Sequence, residues 1–139
     1  MAGNIRPSGD GYLVGTFTTA EAISRGQFVY LSDNNALSVA DATTHPVIGV
    51  ALADAASGAA CTVVRGYCLA LAGEAIAVSA TVSELIVGAD GRAEVADADF
   101  SIATGTPGFV VGQALSDAAA DGDLFPIYCQ PFTSTNDYS

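Results

Sequence analysis

The chain has 139 residues, half of them apolar, with 15 acids against four arginines and no lysine, for a formal net charge of −11. Such a length holds one compact domain with a core that needs no disulfide staples, and the charge repels phosphate backbones, which argues against nucleic-acid binding through a basic groove. No run of about 18 apolar residues offers a membrane-crossing helix, and the first fifteen residues lack the apolar stretch and small-residue cleavage site of a signal peptide, so a cytosolic chain is expected.

In chain order, residues 1–12 hold Gly3, Asn4, Pro7, Gly9 and Gly11. They read as an extended N-terminal arm, bounded at 1–16, of a kind that can pair with a strand edge on a partner. Residues 27–32 (QFVYLS) form a short β-branched and aromatic run that ends in Asp33, Asn34 and Asn35, a strong turn signal. The pattern restarts over 36–40, so 27–40 is expected to be a hairpin. Residues 47–52 form a strand with Ile48, Val50 and Leu52 on one face and Val47, Gly49 and Ala51 on the other. The small residues imply that another backbone packs closely there. A connector, ADAASGAA, leads to a strand over 61–65.

The same sequence of elements then recurs. Residues 84–87 and 92–96 flank Gly88, Ala89, Asp90 and Gly91 as a second hairpin. A strand ending in Leu115, a connector SDAAADGD and a closing strand over 124–130 follow, with Pro126 marking an edge or bulge. Residues 133–139 (TSTNDYS) read as a frayed tail. No window of a dozen residues carries a 3.6-period apolar stripe free of breakers. The expected fold is mostly β: a compact β-barrel or sandwich-like domain over 17–132, built from two similar half-units.

Internal repetition supports that division. Residues 47–56 read VIGVALADAA and 110–119 read VVGQALSDAA, so Gly49, Ala51, Leu52 and Asp54 recur as Gly112, Ala114, Leu115 and Asp117. Glu21, Ala22 and Ile23 recur as Glu74, Ala75 and Ile76; Val39, Ala40 and Asp41 recur as Val95, Ala96 and Asp97; Tyr67-Cys68 recurs as Tyr128-Cys129. The offsets differ, as loop insertions require. The half-units run over about 17–68 and 70–132.

Groups capable of chemistry are few. His45 is the only histidine and sits in a turn beside Pro46, so a nucleophile has no histidine base close in sequence. A zinc site would need Cys61, Cys68, Cys129 and His45 to converge; buried free thiols acting as small hydrophobes are expected instead. Asp97/Asp99 and Asp121/Asp123 have the i, i+2 spacing of a carboxylate pair or an incomplete calcium loop, but the loop's glycine and terminal glutamate are missing. The Gly88–Gly91 segment is an ordinary turn rather than a phosphate loop. No catalytic, cofactor-binding or metal-binding residue is assigned. Among the aromatics, Phe17, Phe28, Tyr30, Tyr67, Phe109, Phe125, Tyr128 and Phe132 supply the core, with one or two left as interface anchors.

Residues 20–26 with Val29, Tyr30 and Leu31, then 47–58, 61–66 and 112–127, together resemble the capsid decoration, or cement, proteins of tailed bacteriophages. The resemblance implies a β-rich protein on the outer surface of the virion head, made in the host cytoplasm. It implies the phage major capsid protein as partner, with three sister copies gathered at three-fold positions to stabilise contacts between capsid subunits. No cofactor, membrane or nucleic acid enters. The alternative is a virion-surface recognition module for a host receptor or glycan, which calls for an aromatic cluster in one loop. A small hydrolase built on one of the aspartate pairs is a third possibility, and it predicts turnover that Asp→Asn replacement abolishes.

Overall fold

The computed structural model describes residues 12–79, 84–96 and 109–133. The β-branched and aromatic runs become strands, and Gly, Asn and Asp clusters separate them. They are β1 (Tyr12–Thr19), β2 (Phe28–Asp33), β3 (Ala36–Val39), β4 (Gly49–Ala51), β5 (Ala60–Leu71), β6 (Glu84–Val87), β7 (Ala93–Val95), β8 (Phe109–Ala114) and β9 (Leu124–Thr133). A short 3-10 turn, Ala89–Gly91, joins β6 to β7, and no α-helix occurs among the described residues. Both expected hairpins form, the first turning at Asn35 with φ 52° and the second at Asp90 with φ 59°.

The strands make one nine-stranded sheet in the order β1-β3-β2-β4-β5-β9-β8-β6-β7, and β1 also pairs with β5. That extra pairing makes the first unit's ladder return on itself: β1 to β3, β2, β4, β5 and back to β1. The second unit repeats the circuit with the C-terminal half of β5 in the role of β1. Gly66–Leu71 pairs with β9, followed by β8, β6 and β7, and a parallel bridge from Ala72 to Ala93 completes it.

The duplication is therefore real down to single hydrogen bonds. The Ile23–Ala55 bridge recurs as Ile76–Ala118. Ala20 N–H donates to the Leu37 carbonyl as Gly73 does to Ala93, and Leu52 N–H donates to Thr62 as Leu115 does to Pro126. β5 is last in one circuit and first in the other. Ala60–Arg65 closes unit one against β1, and from Gly66 onward the same strand opens unit two. Gly66 sits at φ 77°, a left-handed conformation in which a side chain would be strained.

Two main apolar cores follow, with a small third cluster of Ala96 and Val110 against Ile86. The smaller gathers Ile23, Val29, Leu37, Ala51, Cys61 and Val63 inside unit one. In the larger, the unit-two counterparts Ile76, Leu85, Ala93, Ala114, Phe125 and Ile127 join Phe28, Val50 and Val64 from the opposite side of unit one's strands. β5 divides its side chains between them, with Cys61 and Val63 in the first and Val64, Cys68 and Ala70 in the second. The two units thus share a strand and a core.

Three sequence readings need adjustment. β1 begins at Tyr12, inside the segment expected to be an arm, because its main chain pairs with β5 from Tyr12 opposite Arg65 onward. Tyr67-Cys68 and Tyr128-Cys129 are not repeat equivalents: the ladders match Thr62 to Pro126, and Tyr67 and Tyr128 are instead cross-strand partners on the β5–β9 seam. Leu52 does not share a face with Val50, being exposed where Val50 is buried, because β4 ends at Ala51.

Candidate interaction surface

The sequence-level candidates for chemistry turn out to be occupied with structural work. His45 stacks on Tyr30, with ring centroids 4.1 Å apart and 13° between planes, and its Nδ1 lies 3.2 Å from both the Asp41 main-chain N–H and Oδ1. Asp121 pairs with the Arg92 guanidinium, and Asp123 accepts the Ala120 N–H at 3.1 Å within the same turn. Asp97 and Asp99 lie outside the described residues. Asp90 offers its main-chain carbonyl to Gln27 Nε2 at 2.7 Å, which ties the second hairpin to unit one.

The repeated acids have a matched role that sequence reading missed. Glu21 accepts the Val39 N–H at 3.1 Å, and its counterpart Glu74 accepts the Val95 N–H at 2.8 Å. Asp54 accepts the Arg25 N–H at 2.7 Å as Asp117 accepts the Val78 N–H at 2.9 Å. Each carboxylate satisfies a loop or strand-end donor that the ladder leaves over, which is why these acids recur with the fold. The signal was the repetition itself.

The cysteines divide between the cores. Cys61 lines the smaller one, and burial raises its pKa. Cys68 and Cys129 face each other diagonally across the β5–β9 ladder inside the larger. A hydrogen bond that the Cys129 thiol makes to Cys68, then burial and the Cys68 charge, hold that thiol well above its usual pKa, with Arg65 opposing. All three are free thiols, and the four residues required for a zinc site do not meet.

What faces solvent is apolar on one side. The outward residues of the β5–β9 seam are three cross-strand pairs, Tyr67–Tyr128, Leu69–Pro126 and Leu71–Leu124, with Cys68, Ala70, Phe125, Ile127 and Cys129 turned into the core between them. Tyr67, Tyr128 and Leu124 are 41%, 43% and 41% exposed. Tyr12, Leu13 and Val14 at the start of β1 are exposed as well, and Tyr12 stands opposite Arg65, two residues from Tyr67. Phe28 and Phe125 are buried, as the core role anticipated; the side chains of Phe109 and Phe132 fall outside the described residues.

A family model described as "Phage cement protein" matches residues 14–128, nearly the whole described body. The chain belongs to the phage cement protein family. Among solved structures, this cement protein is similar to the head fiber gp8.5 N base of bacteriophage phi29, at 21% identity and a TM-score of 0.64, covering 86% of this chain and 95% of that one. At that identity the likeness speaks for the fold alone. A search of curated proteins finds no match. Family membership gives the cement protein a structural role at the phage head, and its repeated acids and buried thiols serve the fold that performs it.

Proposed function

We propose that this cement protein binds the outer surface of a tailed-phage head and stabilises the contacts between major capsid protein subunits, with three copies gathering at three-fold positions. The family match over residues 14–128 is the observation that carries the reading. The physical design supports it: a decoration protein needs a rigid body with surfaces for several neighbours and no reactive centre. Standard protein interfaces bury about 1,600 Å² in total, so contact with two sister copies and the head would engage much of a chain this size. In this reading the chain is made in the host cytoplasm, folds from the start of β1 at Tyr12 as one domain, carries no catalytic or metal-binding residue, and binds neither nucleic acid nor membrane.

The receptor-binding alternative calls for aromatics clustered in a loop. The exposed tyrosines of the described residues, Tyr12, Tyr67 and Tyr128, all lie on strands β1, β5 and β9, which favours a flat protein contact over a glycan pocket. The deciding experiment mixes purified protein with expanded heads lacking it and measures occupancy and head survival under heat. Saturable binding with increased survival is expected. Absence of saturable binding, or binding without any gain in survival, rejects the cement reading.

A further inference from the structure

The two units act as an internal control for each other's surfaces. Thr19 and Ala72 occupy the same place in the two circuits, because each carries the parallel bridge to its hairpin, to Leu37 and Ala93 respectively. Counting back from them, the outward pairs of the unit-one seam are Thr18–Ala60 and Thr16–Thr62, and the two threonine hydroxyls of the latter lie 3.1 Å apart. The unit-two pairs at the same positions are Leu71–Leu124 and Leu69–Pro126, followed by Tyr67–Tyr128. Unit one keeps the same ladder with Thr and Ala at the first two pairs, so the ladder itself does not call for Leu and Pro there, and Tyr128 stands exposed where unit one has the buried Val64. At the Leu71 end the Leu71 and Leu124 side chains lie over Gly26 of unit one, whose carbonyl accepts the Leu71 N–H. Tyr67 and Tyr128 remain over 40% exposed.

We infer that this seam, centred on Tyr67 and Tyr128, is the surface on which a second copy of this chain docks. Charge selects that occupant. Copies carrying −11 each repel one another, and can close to contact only where carboxylates are sparse. Strands β1, β5, β8 and β9 contain no Asp or Glu, and Arg65 is their one cation. A basic partner would be drawn to the acid-bearing β6–β7 hairpin and the connectors, whereas an uncharged apolar face suits another face of the same kind. Exposed Tyr12, Leu13 and Val14 extend the patch on the same acid-free strands. The inference deepens the proposed gathering of copies, and it names the face that joins them.

Sedimentation over a concentration series tests it, with Tyr67→Asp/Tyr128→Asp as the variant and Thr16→Asp/Thr18→Asp on the unit-one seam as the control. The wild-type mass should rise with concentration. The tyrosine variant should associate at least about tenfold more weakly with an unchanged thermal midpoint, and the threonine variant should match wild type. Salt provides a readout that needs no variant: an apolar contact flanked by acids strengthens or holds as salt rises. A wild-type chain that stays monomeric, association that weakens with salt, or equal weakening by both variants overturns the inference. Self-association through this seam without head binding would sink the cement reading and leave the seam assignment standing. A monomer that binds heads through Tyr67 and Tyr128 would do the reverse, giving the face to the capsid.

Discussion

Phe17 lies opposite Cys61 in unit one, and at the matching positions of unit two Ala70 lies opposite Phe125. The ring has changed strands while the large-plus-small volume of the pair has been kept, which is how close-packed cores accept substitution. Phe125 is 1% exposed, so Phe125→Ala should cost about 3–5 kcal/mol in chemical denaturation. Ala70→Phe added to Phe125→Cys should recover part of the loss suffered by Phe125→Cys alone, because it restores the unit-one arrangement; a further loss would contradict the swap. The Cys129 thiol makes a second residue-scale prediction. Its native pKa is raised by the Cys68 hydrogen bond and by burial. The neutral thiol is therefore favoured in the folded state, and its contribution is complete below the usual thiol range, about 8.5. Unfolding free energy should fall as pH rises from there through the raised native value, and Cys129→Ala should flatten that decline.

At the scale of elements, the repeated Gly49 and Gly112 show how much of the fold could be read in advance. Their small side was expected to meet another backbone, and it does. A Cβ on Gly49 would stand 2.5 Å from the Val64 carbonyl oxygen, and one on Gly112 would collide with that of Tyr128. Gly112→Ala should therefore push β8 off β9 and cost about 1–3 kcal/mol, with faster amide exchange in those two strands than elsewhere; uniform exchange would refute the local cause. Hairpins, repeat and β class were legible because turn residues and period-2 patterns act locally. The double duty of β5 was not, because the sequence from Ala60 to Leu71 reads as one strand whichever partners it takes. The tyrosine seam stayed hidden for the same reason: Tyr67 and Tyr128 look like repeat copies until their register makes them partners.

For the whole molecule, a shared strand and a shared core predict one cooperative transition rather than two. Calorimetric and van't Hoff enthalpies should agree, and neither half cut at Gly66 should fold alone, since Phe28, Val50 and Val64 of unit one and the unit-two residues packed on them would each lose the other side of the shared core. Two resolved transitions would show that the units are thermodynamically separate.

The shared strand also has a mechanical meaning. In the proposed role, a body that bridges neighbouring capsid subunits is loaded whenever the shell beneath it strains. Here tension between the units runs along the covalent backbone of β5 through Gly66, so parting them means sliding β1 and β9 along that strand. The hydrogen bonds on either side would then have to yield together in shear instead of opening one by one, which makes this joint stiffer than a flexible linker of the same length.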